Sequence, residues 1–337
     1  MSVEFLVRAT VGLLPVCVFL AALLYLDSYK LVAIRVVAFT ILAGGCVAGA
    51  SYLVNLHVVM AHDVGLITLS RYIAPPVEEL LKGLIVLALI RTHRIGFLVD
   101  AAIFGFAVGA GFAMIENLYY LRQLPDEIIG LWVVRGFGTA IMHGGATAIF
   151  AVIGLALVDR VSRFTAFAFL PGLAVAVLLH SAFNHFFLSP IHSTLGILVI
   201  LPPLLMAVFQ ISEQAVGRWL GAGFDSDAAT LLLTNSGEFS SSPAGRYLLE
   251  LRGKFRGPVV ADLLCYLRLH VELALRAKGI LMMREEGFDV PVDEATRAKF
   301  VELDYLERSI GKTGRLALKP LLSVSRKDLW QLYMLGK

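Results

Sequence analysis

The chain has 337 residues with 29 basic and 26 acidic side chains, a net charge of +3 and a 58% hydrophobic composition; its mean hydropathy is +0.78. Soluble domains average about 45–50% apolar residues, so an ordinary soluble globule is excluded and a multispanning membrane protein is expected. The small net charge is read through loop topology rather than as a nucleic-acid footprint, and no nucleic-acid partner is expected.

Seven apolar segments are long enough to cross a bilayer, which takes about 20 residues each. In chain order they cover 4–26, 31–56, 72–90, 98–121, 128–158, 164–188 and 191–212. The first lacks a basic start and a small-residue cleavage site, and reads as a retained span rather than a signal peptide. The second and fifth are long enough for tilt or re-entrant ends. Alternate loops differ in charge. Lys30, Arg35, Arg91, Arg94, Arg160, Arg163 and Arg218 fall on one side, and Arg8, Arg71 and Arg122 on the other. The positive-inside rule then predicts an extracytoplasmic N-terminus and a cytoplasmic C-terminus.

Past residue 212 the composition changes. Residues 1–212 hold 11 basic and 10 acidic side chains; the remaining 18 basic and 16 acidic ones fall in 213–337. The stretch 213–243, which takes in most of "DSDAATLLLTNSGEFSSSPAG" (225–245), is polar and turn-rich and reads as a linker. Helices are expected near 244–254, 258–285, 293–311 and 325–335, the second of them amphipathic. The expected organisation is therefore an all-α membrane bundle of about seven helices over 1–212, a linker, and a helical cytoplasmic region over 244–337. Within that last region "SIGKTGR" imitates a phosphate loop, but Leu306 stands where that motif requires glycine. Cys17, Cys46 and Cys265 are isolated and suggest neither a disulfide framework nor a thiolate metal site.

The third to sixth spans carry polar groups that are costly in a bilayer, about 2.5–3.5 kcal/mol for a charge at its centre on insertion scales. They are Glu78, Glu79 and Lys82; Glu116 and Asn117; Arg135 and His143; and His180 and Asn184. Lys82 lies one turn from both Glu78 and Glu79 and can pair with either. Pro75-Pro76 suggests a helix that starts inside the membrane, with proline in its first turn. Counted from the outer end of each span, Glu78 lies about 6 residues deep, Glu116 about 5 and His180 about 8, which at 1.5 Å per residue agree within about 5 Å. His143 lies nearer the middle of its span. Groups at one depth on separate helices suggest one cluster in the outer half of the membrane. His57, His62, His93 and His192 read as loop residues without a catalytic role.

These residue types support water activation by a carboxylate held in an apolar pocket. Histidines and an asparagine amide suit a developing oxyanion. Three N/O ligands plus water also suit zinc. No H-E-x-x-H and no G-x-S-x-G occurs. A proton-coupled transporter using Glu78, Glu79 and Glu116 is an alternative reading, although no internal repeat supports it. A non-catalytic membrane scaffold is another.

The order E-E-x-x-K (Glu78, Glu79, Lys82), F-x-x-x-E-N (Phe112, Glu116, Asn117), arginine then histidine in a glycine-rich span (Arg135, His143), and H-x-x-x-N (His180, Asn184) resembles the PrsW-type intramembrane proteases. These are similar to the wider group of CAAX prenyl endopeptidases and bacteriocin-processing proteins. The wider group usually has arginine in the first motif and histidine in the second, so Lys82 and Glu116 favour the PrsW branch. The resemblance covers about residues 70–190. It implies site-1-type cleavage of membrane proteins, such as single-pass anti-sigma factors, at the extracytoplasmic side of a bacterial plasma membrane. It further implies that Glu78 or Glu79 activates water while His143 and His180 bind metal or stabilise the oxyanion. The ligand set for Zn2+ would then be His143, His180 and Glu116, and a metal-free glutamate mechanism stays equally open. Lys82, Asn117 and Arg135 are expected to support the site, Asn184 to share in the catalysis, and the C-terminal region to dock a cytosolic partner.

Overall fold

The computed structural model of the chain describes residues 3–124, 127–161, 165–288, 290–322, 327 and 330. Among these there are helices and turns but no strand. They fall into two compact units, one formed by residues up to Asp27 and Val32–Glu213, the other by Ser28–Leu31 and Gln214–Lys337.

The first unit contains α1 (Val3–Leu26), α2 (Ile34–His62), α3 (Ala74–Arg91), α4 (Leu98–Gln123), α5 (Ala140–Val161), α6 (Leu170–His185) and the first part of α7 (Pro190–Asn235). All but α3 are, with the short helical turns that lead into α5 and α6, long and apolar enough to cross a membrane. Helix α3 spans 18 residues and carries Glu78, Glu79, Lys82 and Arg91. It corresponds to the third apolar segment of the sequence, and its charges are the reason it differs from its neighbours.

Helix α4 is the centre of this unit. Every residue from Val99 to Ala113 is buried, which suits a helix that is apolar on all sides. Two glycines let its backbone touch both neighbours. A Cβ on Gly109 would lie 2.2 Å from the His143 carbonyl oxygen in α5, and one on Gly111 would lie 2.0 Å from that of Ile41 in α2. Small residues at such contacts are how membrane helices approach closely where no hydrophobic force drives them together. The Gly109 contact fixes the level of His143 against α4.

The helix expected to begin at Pro75-Pro76 is already under way. Leu66–Thr68 is α-helical and Leu69–Ile73 is a π turn that runs straight into α3. Proline lacks the N–H that an inner helical position would donate, and the wider turn accommodates that loss. A second π stretch, Val134–Thr139, follows a short helix at Ile129–Val133 and leads into α5.

Other elements are longer than the sequence suggests. Helix α2 continues until Asp63 adopts a left-handed conformation (φ 47°), so His57 and His62 lie on a helix rather than in a loop. His192 likewise lies within α7. Helix α7 also takes in most of the expected linker, staying helical to Asn235. After Gly223 no glycine or proline interrupts it until Gly237, which turns left-handed (φ 78°); the alanines and leucines between are good helix formers. Only a short 3-10 turn at Glu238–Ser241 follows before the next helix.

The second unit adds α8 (Pro243–Leu251), α9 (Gly257–Glu285) and α10 (Glu294–Leu318). Leu248 and Leu251 pack with Leu263, Leu267, Leu303, Leu306 and Ile310 in a leucine-rich core. The Asp293 carboxylate caps α10 by accepting from Thr296 N at 2.7 Å. Gly311 (φ 62°) kinks this helix, so "SIGKTGR" lies across a bent helix and not on a strand-to-helix phosphate turn. Buried Lys278 meets Asp227 at 2.5 Å and lies 5.2 Å above the Trp219 ring. Tyr29 donates to Glu285 at 2.7 Å. All three cysteines are free. The helix expected near 325–335 and the loop residue Arg163 lie outside the described residues, Lys327 and Trp330 excepted.

Candidate active site

Helix α3 turns Glu78, Glu79 and Lys82 into the unit. Lys82 is fully buried. Its Nζ lies 2.5 Å from Glu79 Oε1 and 3.0 Å from His143 Nδ1, with the Phe112 ring 4.4 Å away. The i,i+3 spacing makes the first contact local. The other two depend on how α4 and α5 pack against α3. Taking two charges out of water is repaid only when the pair is close and further hydrogen bonds fill the remaining positions. Glu79 meets that condition: His180 Nδ1 lies 2.9 Å from its Oε1 and the Thr147 hydroxyl 3.5 Å from its Oε2. Both oxygens of Glu79 are therefore engaged.

His180, on α6, also turns its Nε2 toward Glu78 Oε2 at 3.9 Å. With the Glu79 carboxylate accepting at Nδ1, the proton belongs on Nδ1 and Nε2 keeps its lone pair. The imidazoles of His143 and His180 meet edge to face, with centroids 4.6 Å apart at 87°. Glu78 is held loosely. The Asn55 amide on α2 donates to it at 3.5 Å, and its side chain keeps 11% exposure against 1% for Glu79.

Helix α4 adds the outer wall. Glu116 Oε2 lies 3.3 Å from His143 Nε2 and 3.3 Å from an Arg135 guanidinium nitrogen. Arg135, in the second π stretch, donates from Nε to Asn117 Oδ1 at 2.9 Å and lies 3.8 Å from the centre of the Tyr120 ring. Buried Asn117 donates in turn to the Gly12 carbonyl of α1 at 2.7 Å. Asn184 lies further out on α6, where its amide donates to the Ser70 carbonyl at 2.8 Å.

The structure thus gathers Glu78, Glu79, Lys82, Glu116, His143 and His180 into one cluster, with Asn117 and Arg135 bracing one side of it. The spacing of residues along the chain did not single out Asn55, Thr147 or Ser181. Thr147 lies one helical turn beyond His143, and Asn55 is an isolated amide in an apolar span; both were signals of the same kind as those used.

A metal fits this donor set in type and number. One ligand atom from each of Glu78, His143 and His180 lies within 4.8 Å of the others, a three-ligand N/O group of the kind that leaves a position for water. The trio includes Glu78 where the family resemblance implied Glu116 with the two histidines. Glu79 stands behind His180 as the orienting carboxylate common at metal-bound histidines. His143 has both nitrogens engaged, Nδ1 by Lys82 and Nε2 by Glu116, so ligation through this residue exchanges one of those partners for the metal.

A bundle of apolar helices enclosing a glutamate–histidine cluster able to hold a metal defines a polytopic membrane hydrolase. The model of the PrsW family intramembrane metalloproteases matches residues 32–210, more than half of the chain, and the protein belongs to that family. It is an integral membrane protein and a peptide hydrolase, which sets the transporter and scaffold readings aside. No curated protein matches the chain, and no solved structure matches it.

Proposed function

We propose that this protease cuts single-pass membrane proteins, of the anti-sigma-factor type, near the extracytoplasmic face of a bacterial plasma membrane, with its N-terminus outside and its C-terminus in the cytoplasm. The convergence of Glu78, His143 and His180 against the Glu79–Lys82 pair carries the reading of its chemistry. The charge difference between alternate loops supports the orientation.

Glu78, His143 and His180 would hold the metal. When bound, it supplies Lewis-acid polarisation and lowers the pKa of a coordinated water toward about 7. Glu79 keeps His180 in place from behind; His143 would ligate in exchange for its contact with Lys82, which then pairs with Glu79 alone. Glu116, whose side chain is 26% exposed beside His143, accepts the proton of the attacking water as its oxygen bonds to the scissile carbonyl carbon. It returns that proton to the leaving nitrogen as the C–N bond breaks. Arg135, 3.3 Å away, holds the Glu116 carboxylate in place. The enclosing helices exclude bulk water from the reaction.

The contact between Lys82 Nζ and His143 Nδ1 favours a second reading. An ammonium only donates, so Nδ1 accepts and Nε2 carries the proton toward Glu116, an arrangement that needs no metal. Glu78 then takes the proton of the water as the water oxygen bonds to the scissile carbon, a histidine N–H donates to the oxyanion, and Glu78 returns the proton to the leaving nitrogen as the C–N bond breaks.

Purified protein incubated with a panel of single-pass transmembrane peptides tests both. Cleavage by wild type, loss in Glu78→Gln and His180→Ala, and loss on chelation restored by Zn2+ are expected. Cleavage that survives chelation selects the metal-free reading. Undiminished cleavage by both variants would overturn the assignment of the site.

A further inference from the structure

Two backbone carbonyls beside the site have no N–H of their own helix to serve them. In an α-helix the Ser70 carbonyl would accept from residue 74, but the Ala74 N–H goes to Leu69 in the π turn. The next donor along would be residue 75, which is proline. The Arg71 carbonyl looks to residues 75 and 76, both proline. In a membrane helix an unserved carbonyl is costly because no water can replace the missing donor, and neighbouring helices commonly supply one. Here α6 supplies both. Ser181 Oγ donates to Arg71 O at 2.6 Å and Asn184 Nδ2 to Ser70 O at 2.8 Å.

The same segment of α6 carries His180, bonded to Glu79 on α3. Residues 180, 181 and 184 therefore bind α3 and its entry turn at successive levels. We propose that Ser181 and Asn184 are positioning residues, a clamp on the π turn before Pro75-Pro76 that sets the rotation and depth of Glu78 and Glu79 against His180. Asn184 then acts through α3 and not on the scissile carbonyl. The proline pair makes the clamp necessary: it removes the donors that would make α3 self-sufficient, and the helix can be held in register only from outside.

The clamp rests on the reading of Glu78, Glu79 and His180 as the reacting site, and a double-mutant cycle separates the two ideas. Ser181→Ala and Asn184→Ala are made in wild type and in a Pro75→Ala/Pro76→Ala background, where restored N–H groups serve the orphaned carbonyls. One readout is the thermal unfolding midpoint in detergent, which does not depend on proteolysis. The other is kcat and KM on a transmembrane peptide that wild type cleaves. In wild type each substitution is expected to lower the midpoint and to cut kcat about tenfold to a hundredfold, with KM within about twofold, as for a small misplacement of reacting groups. Ser181→Thr, which keeps the hydroxyl, restores most of kcat. In the alanine background both losses shrink markedly. Equal losses in the two backgrounds would overturn the proposal, as would failure of Ser181→Thr to rescue. If no peptide is cleaved even by wild type, the proposed substrate class is refuted and the coupling of midpoints alone decides the clamp: additive shifts reject it and coupled shifts uphold it.

Discussion

Replacing Lys82 by methionine tests whether the buried ion pair organises the site. The two charged atoms are 2.5 Å apart with at most 1% of either side chain exposed. At an effective dielectric of about 20, the gross attraction at that distance is about 7 kcal/mol, most of it offset by desolvation. Methionine fills much of the lysine's volume, so the main loss is the partner of a buried carboxylate, for which the expected cost is about 3–5 kcal/mol. Adding Glu79→Gln removes the orphaned charge and is expected to recover most of that cost. Chemical or thermal unfolding of wild type, both single variants and the double variant in one detergent measures the coupling. Activity is expected to follow a different course. Glu79 also accepts from His180, so the double variant regains stability but not cleavage. A Lys82→Met protein within about 1 kcal/mol of wild type, or a double variant no more stable than the singles, would refute the reasoning.

Three further outcomes are expected. Gly109→Ala drives a Cβ to within 2.2 Å of the His143 carbonyl; α4 and α5 must separate, at a cost of about 1–3 kcal/mol, and unfolding and cleavage assays should both register it. Asn55→Ala removes the amide that approaches Glu78, and since that contact is long the expected loss is about 1 kcal/mol or less of stability, with a several-fold fall in kcat as the informative reading. In the second unit, Asp227→Ala leaves Lys278 buried without its carboxylate and should cost about 3 kcal/mol or more in unfolding, whereas Asp227→Glu should retain most of the stability.

Much of this protein is legible in its sequence because lipid imposes a local rule. A segment that crosses must be long and apolar, and any charge within it must have a reason. That rule yields the membrane spans, marks the charge-rich C-terminal region as different, and picks out Glu78, Glu79, Lys82, Glu116, His143 and His180 one by one. It does not reveal which carboxylate meets which imidazole. His180 reaches Glu79 across 101 residues of chain, and Lys82 reaches His143 across 61. Those meetings depend on the rotation and relative depth of the helices, set by close contacts such as Gly109 against the His143 backbone. The same holds for Pro75-Pro76. Their missing N–H groups are plain in the sequence, but only the packed helices decide that the orphaned carbonyls are served by Ser181 and Asn184, because a backbone acceptor carries no mark of the side chain that will find it.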